Sequence, residues 1–119
     1  MNGTAKLDPA GPTPQLDVRF ANCAGDFVVW MYDSNGENPK VHASGTSKSG
    51  PVDLLPAPQQ IGRGIYVEAY AGHAMPTMTL IGVTVAALQS ASQKVALPQF
   101  VNVEPAKKVT FPFVVEFTS

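Results

Sequence analysis

The chain predicts an all-β fold: an antiparallel β-sandwich of about seven or eight strands, with at most one short helix near residues 86–97. Three observations carry that expectation. Apolar and polar residues alternate over short runs, most clearly in KVTFPFVVEFTS, where Val109, Phe111, Phe113, Val115 and Phe117 share one parity. That period of two is the mark of a strand with one buried face. Gly, Pro and Asn clusters separate such runs at short intervals, as turns do in a β domain. No long helical pattern and no internal repeat runs through the sequence.

At 119 residues the chain suits one domain, large enough to remove roughly two-thirds of its unfolded surface from water. Apolar residues make up 45% and charged ones only 14%, against roughly 25% charged in an ordinary globular protein. The surface must therefore be built from uncharged polar residues. The formal charge is −1 and the only basic run is Lys107-Lys108, so neither nucleic acid, which needs many phosphate contacts, nor an anionic membrane is an expected partner. MNGTAKLDPAGPTPQL lacks an apolar segment, and TLIGVTVAAL is far too short to span a bilayer. We expect a soluble protein of undetermined compartment, a virion surface included. Cys23 is the single cysteine, which excludes an intrachain disulfide.

Residues 1–14 carry Pro9, Pro12 and Pro14, a spacing that disfavours helix and paired strand and favours an extended arm. Residues 15–119 form the sandwich domain. In QLDVRFAN, Leu16, Val18 and Phe20 face inward. DFVVWMYD is apolar on both faces, which fits a central strand covered on each side or a strand with one face in an interface, and NPKVHASG alternates weakly. Between them, Asn35-Gly36 suits a tight type I′ turn, giving a hairpin over residues 26–45. GTSKSGP is a loop, PVDLL a short strand and PAPQQIGRG a connection. IYVEAYAG sends Ile65, Val67 and Ala69 inward and Tyr66, Glu68 and Tyr70 outward, because an unpaired glutamate is costly to bury.

MTLIGVTV shifts phase, with Gly82 placed where a bulge would reset the register. AALQSASQKVALP reads either as a helix that Pro98 ends at Leu97, or as a loop followed by a strand. QFVNV is a further strand. In the last one, Pro112 has no N–H for the ladder, which predicts an edge strand.

Groups for chemistry are few. His42, His73 and Cys23 cannot assemble a zinc site by themselves; a mixed site with carboxylates stays open, but no ligand spacing points to one. The nucleophile elbow G-x-S-x-G is missing, so no catalytic residues are expected and a small hydrolase is the least supported reading. DSNGEN departs from the EF-hand pattern, and GTSKSG from the phosphate-loop spacing. No metal or cofactor is implied.

One constellation remains. Tyr66 and Tyr70 flank Glu68 on one strand face, while Trp30 and Tyr32 share a face of another. If both strands lie in one sheet with matching faces, they form an aromatic patch with a carboxylate inside it; otherwise Trp30 and Tyr32 belong to the core. Aromatic residues with polar tips anchor protein contacts and stack on sugars.

IYVEAYAG faintly resembles the tyrosine-bearing strand of immunoglobulin-like and fibronectin-like sandwiches, and a jelly-roll-like arrangement fits equally. The expected function is a non-enzymatic structural one. We expect an assembly protein, for example a capsid-decoration subunit, joined to protein partners in a homo-oligomer or particle lattice through its arm (Pro9, Pro12, Pro14), loops and tyrosine face. The alternative is a lectin-like module that binds glycans on Tyr66, Glu68, Tyr70 and Trp30.

Overall fold

A computed structural model describes residues 1–119. Nine strands and one helical turn follow in the order β1 (Asn2–Lys6), β2 (Gln15–Ala21), β3 (Ala24–Met31), β4 (Lys40–Thr46), β5 (Val52–Asp53), α1 (Ala57–Gln60), β6 (Ile65–Gly72), β7 (Thr79–Gln89), β8 (Ser92–Val103) and β9 (Lys108–Thr118). They build two sheets, of order β1-β9-β6-β3-β4 and β5-β2-β7-β8, packed face to face as a β-sandwich.

Strand parity decides what fills the space between the sheets. Phe27, Val29, Ile65, Val67, Phe111, Phe113 and Val115 point inward from the larger sheet; Leu16, Val18, Ile81, Val83 and Val85 meet them from the smaller. In β9 the alternating set is buried at Phe111, Phe113, Val115 and Phe117, as its period of two requires. Fully burying side chains of this size is worth about 1.5–3 kcal/mol each, so the inner face of β9 is among the larger contributions to stability.

Several local expectations need correction. The hairpin over residues 26–45 forms, but not through a two-residue turn. β3 and β4 are joined by residues 32–39, and among these only Gly36 and Asn38 have positive φ, at 76° and 50°. Asp33 organises the loop instead: its Oδ1 accepts from the backbone N–H of Asn35 and Glu37, both at 2.9 Å, and its Oδ2 accepts from Asn38 Nδ2 at 3.0 Å. These side-chain bonds add to the backbone bonds of Gly36 N–H to the Asp33 carbonyl and of Asp33 N–H to the Glu37 carbonyl, so the loop does not depend on one two-residue turn type.

The predicted helix near residues 86–97 does not exist. That stretch is the β7–β8 hairpin, with Gln89 opposite Ser92. Its two-residue turn, Ser90-Ala91, has φ of 54° and 58°. The helical turn lies instead at Ala57–Gln60, where the buried Gln60 side chain accepts from Leu55 N–H and donates to the Arg63 carbonyl. Nor does Gly82 reset the register by a bulge. Ile81, Val83, Val85 and Ala87 stay buried in one phase, and the irregularity falls between Ala87 and Leu88. Gly82 is where the ring of Phe100 crosses the sheet, so a Cβ there would drive into that ring.

The first residues belong to the sandwich. β1 lies parallel to β9, from Asn2 opposite Val114 to Lys6 opposite Thr118, and Ala5 and Leu7 are buried. The prolines start only after this strand. Beyond it, buried Gln89 holds the crossing to the second sheet, accepting from Asp8 N–H and donating to the carbonyls of Asp8 and Pro12. Pro9 and Pro12 are exposed, whereas Pro14 is buried.

β9 is therefore an edge strand only in part. Val114 N–H donates to the Met1 carbonyl, and by alternation the Pro112 nitrogen faces the same side, ahead of the first β1 pair, Asn2 with Val114.

Candidate functional site

The outer face of the five-stranded sheet gathers the aromatic residues. β3 pairs with β6 so that Trp30 lies opposite Tyr66, Val28 opposite Glu68 and Asp26 opposite Tyr70. Cross-strand neighbours at this distance touch when their side chains are long. Trp30 and Tyr66 have ring centroids 5.7 Å apart and planes inclined by 48°. Tyr32 N–H continues the ladder to the Gly64 carbonyl, which keeps Tyr32 on the same parity just above Trp30. The two strands thus lie in one sheet with matching faces, and Trp30 and Tyr32 are half-buried on the outside rather than in the core.

Glu68 sits between the tyrosines and is held by both. Tyr66 Oη donates to its Oε1 at 2.7 Å, and Tyr70 Oη donates to its Oε2. The hydrogen bonds from Tyr70 and Tyr66 hold the Glu68 carboxyl below the usual carboxylate range, because each stabilises only the charged form. The same contact works in reverse on the phenols. Tyr66 is pushed up to about 12, first by its hydrogen bond to Glu68 and then by burial; Tyr70 is raised for the same reasons. This is a locked triplet, one anion and two neutral donors. No cation pairs with the carboxylate, since the molecule's one ion pair is Arg19 with Asp17.

An apolar rim surrounds the triplet. Val41, opposite Trp30, is 63% exposed, while Val28, Pro112 and Val114 fill the positions beside Glu68 and Tyr66. A groove of about 490 Å³ borders the patch between Tyr32, Asn35, Gly64 and Glu116.

The reactive side chains elsewhere are engaged in the fold. His42 Nε2 bonds the Asp53 carbonyl at 2.8 Å. His73 accepts from Met75 N–H through Nδ1, and its Nε2 bonds the Val103 carbonyl at 2.7 Å. Cys23 Sγ contacts the Gly82 carbonyl, and burial pushes its thiol up, away from the thiolate a nucleophile needs. Cys23 and His73 border the same end of the sandwich while His42 bonds β5 elsewhere, and no three of His, Cys, Asp and Glu gather as metal ligands. No helix is long and apolar enough to cross a membrane.

A larger hollow of about 860 Å³ opens at the end of the sandwich beyond Tyr70, with Cys23, Asp26, His73, Met75 and Lys108 among its walls. Beside it Met75, Met78, Leu80 and Phe100 are each more than half exposed. Parity could have flagged Leu80, whose phase differs from that of Val83 and Val85; nothing in the sequence marks Phe100 as outward. Comparison with protein-family models, curated proteins and solved structures returns no match.

Proposed function

We propose that this domain is a non-enzymatic assembly protein, a subunit that holds neighbours in an oligomer or on a particle surface such as a virion. The observation that supports this reading most is the outward aromatic face: Trp30, Tyr32, Tyr66 and Tyr70 on one sheet, rimmed by Val28, Val41 and Val114. Tyrosine and tryptophan dominate the energetics of protein contacts because they bring large rigid area with a polar tip. A patch of this kind on a chain with little charge is a place to be covered.

The pairing of β1 favours sheet faces and loops over the arm as the contact. With β1 paired inside its own sheet and Ala5, Leu7 and Pro14 buried, these residues serve the fold, which supports a neighbour held by sheet faces and loops. Light scattering over a concentration series tests the reading. We expect a defined oligomer or a concentration-dependent rise in mass, reduced when Trp30→Ser and Tyr66→Ser are introduced together. A monomer at every concentration, with no particle partner, would refute it.

Glycan binding is the second reading, favoured by the same rings and by the free acceptor capacity of Glu68. The 48° inclination of Trp30 to Tyr66 gives a sugar ring no continuous plane across the two. A glycan array separates the readings: binding that disappears in Tyr66→Ser and Tyr70→Ser would favour the module over the subunit.

A further inference from the structure

We propose that the partner of the aromatic face is the opposite face of a second copy of this chain, with Arg19 of one molecule seated on the Tyr66-Glu68-Tyr70 triplet of the next. This inference rests on the assembly reading and specifies its contact.

The receiving side is an incomplete cation site. Each Glu68 oxygen accepts one tyrosine hydroxyl, which leaves acceptor capacity on both. A guanidinium fork donates two parallel N–H bonds to a carboxylate and stacks on aromatic faces, which an ammonium does less well. Rings of Tyr66, Tyr70 and Trp30 around an anion supply both kinds of contact. Asp26, opposite Tyr70, adds to the negative character of this face.

The donating side has matching form. Arg19 lies on the outward parity of β2, between buried Val18 and half-buried Phe20. Its side chain is 81% exposed, and Asp17 Oδ2 accepts from its Nε at 2.7 Å. That bond fixes the stem of the guanidinium and leaves both terminal nitrogens free. Around it small residues alternate with Asp17 and with the half-exposed ring of Phe100 over Gly82. Thr84 lies opposite Arg19, Ala86 opposite Asp17 and Gly82 opposite Ala21, with Pro98 and Ala96 beyond on β8. A guanidinium with both terminal nitrogens free fits a face whose centre is an anion paired with no cation.

Dimensions and charge permit the contact. The molecule measures 49 × 29 × 20 Å, so each broad face exceeds the roughly 800 Å² that a partner contributes to a standard interface. The formal charge of −1 means little repulsion between copies. Because the two surfaces differ, the contact is heterologous, and repeating it stacks molecules along the short axis into a ring or an open filament. Two aromatic faces do not meet each other, since that would oppose two Glu68 carboxylates.

Charge reversal tests this in solution. Wild type, Glu68→Arg, Arg19→Glu and an equimolar mixture of the two variants are compared by analytical ultracentrifugation, with circular dichroism to confirm folding. We expect wild type to associate, each variant alone to associate on the order of a hundredfold more weakly, and the mixture to recover, because each variant then meets its complement. Association unchanged in both variants, or no recovery in a folded mixture, overturns the contact and leaves the assembly reading standing. Should a reversal variant fail to fold, Glu68→Gln and Arg19→Gln replace the pair; at least roughly tenfold weakening in each is expected, and none refutes the contact. Monomeric wild type refutes this proposal together with self-assembly. In that event Glu68-dependent binding of a blocked Gly-Arg-Gly peptide would reassign the face to a foreign arginine.

Discussion

At the scale of single residues, Glu68 and its two tyrosines form a brace with a defined pH window. A carboxyl held below its ordinary value contributes stability above its unfolded pKa, and that contribution is lost as pH falls through the folded value. Glu68 is such a group. Tyr66, raised to about 12, contributes in the opposite sense: its share is complete below the ordinary tyrosine value near 10 and is lost as pH rises toward 12. The brace is therefore intact from weakly acidic to moderately alkaline solution. Replacing Glu68 with Gln should bring the ionisation of Tyr66 and Tyr70 down toward the ordinary value, read as an earlier rise in phenolate absorbance during alkaline titration. The outward placement of Tyr66, Glu68 and Tyr70 was legible because β6 alternates strictly. Trp30 and Tyr32 were not, because DFVVWMYD is apolar on both parities and offers no contrast to read.

At the scale of elements, strands announce themselves more plainly than turns. An inward set of large apolar residues is imposed by burial, so β2, β6 and β9 could be placed with their faces. A turn is set by backbone conformation, which side chains reveal only when they are glycine, asparagine or proline. Asn35-Gly36 carries the composition of a type I′ turn yet lies in a loop organised by Asp33. Ser90-Ala91 carries no such composition yet adopts positive φ at both positions. Left-handed backbone costs a residue with a Cβ about 1–2 kcal/mol, so the β7–β8 hairpin closes against local preference, driven by a twelve-residue β8 that buries Leu97 and Val103. The double substitution Ser90→Asn, Ala91→Gly should relieve this and raise stability by about 1 kcal/mol, seen as a melting temperature higher by roughly 3–6 °C. An unchanged melting temperature would mean that the turn is not strained.

At the scale of the whole molecule, the sequence showed that there were two faces to bury but not which strands would be neighbours. Pairing partners are chosen by long-range packing, and nothing near residues 1–6 hints at a partner in the last strand. β1 supplies the edge of the larger sheet, and it buries Ala5 and Leu7 against Phe117 and the β8 side chains. Deleting residues 1–7 should therefore destabilise the domain by about 3 kcal/mol or more, from the lost Leu7 burial and ladder bonds, measured as a lower urea midpoint. A truncated chain of unchanged stability that had lost only its association would show that this segment serves a neighbour instead.

The parallel pairing of β1 with β9 also sets a schedule. Met1 and Pro112 are in contact across 111 positions of chain, so β1 must wait for a strand far along the sequence. Until β9 arrives, β6 lacks its neighbour in the sheet, and the inner face of the larger sheet lies open to water. Closing so long a loop carries a large entropy cost before any contact rewards it. The larger sheet of this domain is thus complete only when β9 is present for both β1 and β6 to pair with.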